Sequence, residues 1–345
     1  MNILLTSAGR RSYIVDYFKR ATGIDKVFAS NSTYTIALKR ADGYFVSPLI
    51  YDNNYIPSII NYCKVNHITA VISLFDIDLL VLAQNANSFK ENGIELILAP
   101  VEFIKICNDK YLTYEFIVSL GLNTPLTYKN KGEVVMALKN KELSYPIIIK
   151  PRWGMASMGI YIVENDEELD FFTRKCEKII KNSYLKYESS MTIDEPIIYQ
   201  EIIKGKEYGI DVLNDLEGKY IKSFAKEKIS LRSGETDLGL TAESEPFEDM
   251  ARKISSESGH HGICSVDCFI DDNKEVYVIE MNCRISGHYP LAYLAGFNYP
   301  QLLSDWLNKK GTNRQLLKYK TGLYIVKDLV PTILTTCDYE ESTML

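Results

Sequence analysis

The side chains of this 345-residue chain that could do chemistry together are concentrated in Ser265–Arg284, SVDCFIDDNKEVYVIEMNCR. Two runs rich in Val, Ile, Phe and Tyr flank Asp272-Asn273-Lys274-Glu275, the pattern of a β-hairpin with a loop of about four residues. That loop sets Asp271 opposite Val276, Phe269 opposite Val278 and Asp267 opposite Glu280. Carboxylates opposed on neighbouring strands repel unless a cation lies between them. Residues two apart on a strand share a face, so Asn282 and Arg284 join Glu280. Hard oxygen donors of this kind suit Mg²⁺, which usually binds through one or two carboxylates plus substrate phosphates. A solvated hairpin with ordinary surface charges is the competing reading. Three other stretches weigh against it.

Tyr145–Ile162, YPIIIKPRWGMASMGIYI, predicts a strand ending at Lys150-Pro151. A loop with Gly154, Ala156, Ser157 and Gly159 follows, then a second strand. Small residues let a loop's backbone approach a polyphosphate, and Lys150 adds a point charge for phosphate oxygens. The Walker A pattern is absent, which excludes a P-loop NTPase; a ligand-free Gly-rich hairpin is the alternative. Ile197–Leu213 reads as strand, Lys204-Gly205 turn and strand, the second strand carrying Glu207. Apolar residues beside free backbone groups can hold an adenine, and a carboxylate can accept from ribose hydroxyls. By itself the stretch is an ordinary hairpin. In Ser223–Thr241, Lys226, Lys228 and Arg232 precede an acidic, Gly-rich turn. It either closes over a triphosphate or is a surface loop. His260-His261 read as polar loop residues.

These stretches need elements to position them. Asn2–Thr6 reads as a buried parallel strand, followed by Ser7-Ala8-Gly9-Arg10-Arg11 and a helical pattern. Strand, tight turn and helix open a doubly wound α/β domain. G-x-G-x-x-G is missing, which rejects a nicotinamide or flavin site. Helix N-termini still favour anions, so Arg10 and Arg11 are substrate candidates on a par with surface residues. Further strands are expected at Lys26–Ser30, Tyr44–Val46, Ala70–Leu74 and Glu95–Leu98. Asp76 and Asp78 follow the fourth, where open α/β sheets bind ligands. Either could instead cap a helix Leu79–Asn87. The sheet pattern ends around Val101–Asn108, and a helix from Lys110 runs to Gly121. An α+β region follows.

Composition agrees with a globular protein: 46% apolar, 24% charged and a net charge of −6. That balance argues against nucleic-acid and anionic-membrane surfaces. No apolar run reaches the ~18 residues a bilayer span needs. The opening MNILLTSAGRR is the reverse of a signal peptide. Seven cysteines without a Cys-x-x-Cys pair read as buried free thiols in a reducing compartment. The expected location is the cytoplasm.

In this order the stretches resemble the ATP-grasp superfamily from about residue 106 to 310. A single synthetase unit of the carbamoyl phosphate synthetase large subunit is the nearest likeness. The resemblance implies a Rossmann-like preATP-grasp domain over 1–105. A two-subdomain ATP-grasp fold follows, small subdomain 106–195 and C-terminal subdomain 196–345. It implies that Lys110 and Lys150 contact ATP phosphates, with Ser157 in the Gly-rich loop. Gln200, Glu201 and Ile203 would hold adenine, and Glu207 the ribose; Lys228 is a looser match to a phosphate lysine. Asp267, Glu280 and Asn282 would be metal ligands. Arg284, with Lys150, would be catalytic, steadying an acyl phosphate or carboxyphosphate. His288, at the end of the Asn282–His288 run, joins Arg10, Arg11 and Asp76 as a substrate candidate. The implied cofactors are ATP and Mg²⁺, two ions, with Mn²⁺ as a substitute. A homodimer through the N-terminal domain is implied too. Within these 345 residues the resemblance takes in neither a glutamine amidotransferase nor a biotin carrier domain. The expected activity is therefore an ADP-forming ligation of a carboxylate to an amine or thiol. A bicarbonate-activating or carbamoyl-forming relative comes second and a non-catalytic nucleotide-binding subunit third.

Overall fold

A computed structural model of the chain describes residues 1–154, 158–183, 195–232 and 234–333. Its first sheet is parallel: β1 (Asn2–Thr6), β2 (Lys26–Asn31), β3 (Gly43–Val46), β4 (Ile68–Ser73) and β5 (Glu95–Leu96), in the order β3-β2-β1-β4-β5. Helices join successive strands, as parallel pairing requires. The order reverses between β1 and β4, so the crevice beyond their carboxyl ends is the expected ligand side. Ser7–Arg11 and Leu74–Asp78 lie there.

Neither aspartate caps a helix, against one sequence-based expectation. The helix starts at Asp76, after Phe75, and ends at Gln84; a second runs from Ala86 to Glu91. Asp78 is instead a buried tie. Its carboxylate accepts from Thr6 Oγ1 (2.5 Å), Ser73 Oγ (2.7 Å) and Tyr55 Oη (2.6 Å), joining β1, β4 and the helix Tyr55–Val65. Asp76 faces the far end of the chain.

Val101–Asn108, marked in the sequence only as the end of the sheet pattern, is a helix. The next helix, Lys110–Ser119, is capped by Asp109, whose Oδ1 accepts from the Tyr111 and Leu112 N–H groups. It stops ahead of Gly121, which takes φ +64°.

A small antiparallel sheet follows, β6 (Thr127–Tyr128), β7 (Ile147–Pro151), β8 (Tyr161–Val163) and β9 (Ile197–Glu201), in the order β6-β9-β7-β8. With the helices Lys131–Asn140 and Asp166–Asn182 it closes a core of its own, including Val134, Ile147, Ile149, Val163 and Leu169. The larger antiparallel sheet comprises β10 (Lys206–Asn214), β11 (Tyr220–Arg232), β12 (Glu235–Ala242), β13 (Gly262–Ile270), β14 (Val276–Asn282) and β15 (Tyr324–Val326), in the order β14-β13-β10-β11-β12-β15. Its two faces share cores with the N-terminal sheet. Ile3 and Leu5 join Phe224, Tyr289 and Phe297 in one; Leu4 and Phe103 join Val212 and Cys264 in the other. The N-terminal domain and large sheet are thus one packed body, and the small sheet is a lobe with a separate interior.

The β13–β14 hairpin places Asp267 opposite Glu280, as the sequence suggests, but by another route. Ile270 pairs with Val276 and Phe269 with Tyr277, so the expected Asp271–Val276 and Phe269–Val278 pairs are not formed. The loop is one residue longer, Asp271–Glu275, with Asp271 Oδ1 accepting from the Asn273 and Glu275 N–H groups. A bulge at Ile279, between Val278 and Glu280, restores the register at the carboxylates.

Candidate active site

A cavity of about 220 Å³ opens where the small lobe, the large sheet and the N-terminal domain meet. Lys110, Lys150, Lys228, Asp267, Glu280, Asn282, Arg284, Arg11 and His288 all line it. Of the sequence-derived candidates, Arg10, Asp76, Gln200, Glu201, Ile203 and Glu207 do not. Ser157 lies outside the described residues.

From the small lobe, β7 delivers Lys150. Its Nζ donates to Gln200 Oε1 (2.7 Å), and Gln200 Nε2 in turn donates to Thr127 Oγ1 (2.9 Å). The Gln200 side chain is thereby spent on orienting the lysine. Burial first, and Lys110 second, hold the Lys150 pKa down at about 8. Lys110 donates to the Gly154 carbonyl (2.6 Å) and stands 3.7 Å from Glu280 Oε1. Arg152, on the Asp109 carboxylate (2.8 and 2.9 Å), locks the helix carrying Lys110 to the end of β7. Glu201 accepts from the Leu126 N–H (3.1 Å). It and half-buried Ile203 sit on the connection between lobes.

From the large sheet come the acidic groups. Lys228 on β11 bridges Glu207 Oε1 and Asp267 Oδ2, each at 2.8 Å. Burial opposes its charge, yet the two carboxylates carry its pKa above the ordinary lysine value. Burial likewise opposes the Asp267 charge, and Lys228 and His288 more than offset it, leaving the carboxyl far below its usual range. His288 is buried, held by Ser265 (Oγ to Nε2, 2.8 Å) and set 3.6 Å from both Asp211 and Asp267. Burial, then Lys226, push it down to about 4, so it is neutral at pH 7. The ring fits because β10 has glycine at position 209: a Cβ there would lie 2.6 Å from it.

The third wall joins the chain's two ends. Arg284 donates through Nε and Nη2 to Asp76 Oδ2 (2.9 and 2.6 Å). Burial opposes its charge, but Asp76 raises its pKa above the ordinary arginine value. Arg11 donates to the Leu74 carbonyl (2.7 Å) and the Ile285 carbonyl (3.2 Å) and faces Glu235 at 3.5 Å. Arg10 points to solvent. Glu235 also lines this wall and pairs with Lys327 at 3.2 Å; neither is among the candidates singled out in the sequence. Glu235 stands in the acidic turn already noted, but nothing in the chain announces a partner 92 residues on.

The donor set matches what a divalent cation needs. Asp267 Oδ1 is buried with no hydrogen-bond partner among the described residues, and Glu280 and Asn282 line the same cavity. Carboxylate and amide oxygens beside a phosphate-sized space fit a hard cation such as Mg²⁺.

Two family models match the chain: the PylC-like N-terminal domain over residues 3–97 and the ATP-grasp domain over residues 107–288. The arginine-specific carbamoyl phosphate synthase large chain of Bacillus subtilis is 25% identical over 284 residues, 78% of this chain but 25% of that one. This chain thus spans about a quarter of that relative. The carbamoyl-phosphate synthase of Methanobrevibacter smithii is 27% identical over 79% of this chain and 71% of its own length. Among solved structures, the biotin carboxylase domain of Hydrogenobacter thermophilus 2-oxoglutarate carboxylase, determined with MgADP and bicarbonate, superposes with a TM-score of 0.70. It is 18% identical and covers 94% of this chain and 73% of that one. The L-amino acid ligase of Bacillus licheniformis follows at 0.68, 21% identical, covering 88% and 74%. The fold is therefore that of these enzymes, and the chain belongs to the ATP-grasp family.

Proposed function

We propose that the protein is an ADP-forming ligase that activates a carboxylate with Mg·ATP and passes the acyl group to an amine or thiol. The observation that carries the reading is the convergence of Lys110 and Lys150 with Asp267, Glu280, Asn282 and Arg284 on one cavity. Lys110 and Lys150 would take the phosphate oxygens, since both side chains line that space. The Gln200–Ile203 connection would carry the adenine and Glu207 the ribose. Asp267, Glu280 and Asn282 would hold Mg²⁺, two ions in the fuller reading; bound there, the metal neutralises phosphate charge. Arg284 would steady the carboxylate as one of its oxygens attacks the γ-phosphorus and the bond to the bridging oxygen breaks, releasing ADP. The acceptor then attacks the acyl carbon and phosphate leaves. Such chemistry asks for positioning and charge stabilisation more than for covalent participation. Arg11, whose side chain lines the cavity, would meet the rest of the carboxylate substrate, and exposed Arg10, outside the lining, would not.

A bicarbonate-activating enzyme is the second reading, favoured by the names of the two carbamoyl phosphate synthase relatives. Phosphorus NMR of ATP consumption separates the readings. Incubation with carboxylate–amine pairs should yield ADP and phosphate beyond the background seen with bicarbonate alone. AMP and pyrophosphate as products would overturn the ligase mechanism. Turnover supported fully by bicarbonate would favour the second reading.

A further inference from the structure

Outside the cavity, one cluster has a chemistry the ligase reading does not use. Cys107 on the helix Val101–Asn108, Cys264 on β13 and Cys283 just past β14 bring their three sulfur atoms within 4.8 Å of one another. The chain travels 157 residues from the first to the second, so local structure does not explain the meeting. All three thiols are free. Cys107 and Cys283 are 3.2 Å apart, sulfur to sulfur. Cys264 is fully enclosed, while Cys107 and Cys283 keep 6% and 7% exposure, a narrow way in.

We propose that these three thiols form a site for one thiophilic d¹⁰ ion, separate from the oxygen-lined cavity. Soft thiolates select copper(I), zinc and their heavier relatives over magnesium. A zinc–sulfur bond of about 2.3 Å sets thiolates roughly 3.8–4.0 Å apart. The cluster brackets that spacing: its sulfurs lie within 4.8 Å of one another, and the Cys107–Cys283 pair at 3.2 Å must part slightly. Nearby His260 does not add a fourth ligand, because Ser258 Oγ (2.6 Å) and the Val212 carbonyl (3.1 Å) occupy its two ring nitrogens. Among the described residues no carboxylate or histidine joins the cluster. The site is thus three-coordinate, a number that copper(I), cadmium and mercury accept. Cys283 lies between Asn282 and Arg284 in the chain. A bound ion would therefore pin the helix Val101–Asn108 to the strand end that serves the cavity.

The test titrates the reduced full-length protein with Cd²⁺ alone, following thiolate-to-metal charge-transfer absorbance and counting ions after gel filtration. One ion per chain is expected, with the band saturating at one equivalent. Cys264→Ala should abolish the band, and Cys63→Ala, at a buried thiol of the N-terminal domain, should leave it intact. Absence of the band in the wild-type protein overturns the proposal without any variant. So does a band that survives both Cys264→Ala and Cys107→Ala. A Cys107–Cys283 disulfide, found by mass spectrometry after mild peroxide in a protein that never takes Cd²⁺, would make the cluster a redox pair instead.

Discussion

Burial beside a second ammonium holds the Lys150 pKa near 8, and that has a measurable consequence. Phosphate needs the protonated lysine, and the free protein loses that proton as pH rises through 8. Nucleotide affinity should therefore be flat below pH 7.5 and fall about tenfold per unit well above pH 8. Lys150→Arg should remove this slope, because a guanidinium stays charged throughout. Calorimetric titration with Mg·ADP between pH 7 and 9.5 decides it; an unchanged slope in the variant would mean another group titrates. Glu280 gives a second residue-scale prediction. Glu280→Gln should keep the fold yet lose most of the stabilisation by Mg·ADP. For the wild type that is about 2.7 kcal/mol at a hundredfold excess over Kd. Equal melting shifts would show that Glu280 does not hold the metal. Sequence reasoning could find these residues because each stands at a strand end or on an alternating strand face, where type and spacing imply direction. Lys327 could not be found, since its meeting with Glu235 depends on the whole chain's path. Arg10 and Arg11 were indistinguishable in sequence; the turn after β1 sends one outward and the other against Leu74 and Ile285.

At the scale of elements, the hairpin shows how a partly correct reading arises. Period-two alternation located both strands and the carboxylate pair, but a bulge leaves no mark in alternating hydrophobicity. The added residue at Ile279 shifts everything between it and the loop. Gly209 is another signal the sequence leaves mute: mid-strand glycine reads as a weakness, and here it makes room for the His288 ring. Gly209→Ala should force the ring from its place against Ser265, destabilising the fold by about 1–3 kcal/mol. Removing the ring as well should return part of that loss, so Gly209→Ala with His288→Ala should be more stable in urea than Gly209→Ala alone. Simple additivity of the two changes would show that the close approach is not what demands glycine.

The whole molecule divides by its cores rather than by its chain order. Phe224 and Phe297 stack at 3.7 Å in a cluster that also holds Ile3 and Leu5, so the N-terminal sheet and the large sheet are stabilised by the same contacts. Among the described residues the small lobe's interior shares none of them; Ile149 is fully buried among its own neighbours. This arrangement was half legible. Sheet types and order follow from hydrophobic runs and turns, whereas shared interiors follow from packing between segments hundreds of residues apart. Regions with separate cores open separately. Ile149→Ala should cost about 2–5 kcal/mol, as a truncated core isoleucine does. Its effect should be confined to β6–β9, where amide hydrogen exchange should quicken while β1 and β10 stay as protected as before. Phe297→Ala should instead quicken exchange in β1 and β10 together and spare β7. Lys150 lies on one body and Glu280 on the other, so a ligand gripping both should link them. Saturating Mg·ADP should therefore slow exchange in the small lobe of the Ile149→Ala variant more than in its N-terminal sheet. Quickened exchange across all three sheets in both variants would mean that the molecule unfolds as one unit, and that the two lobes are not independent jaws.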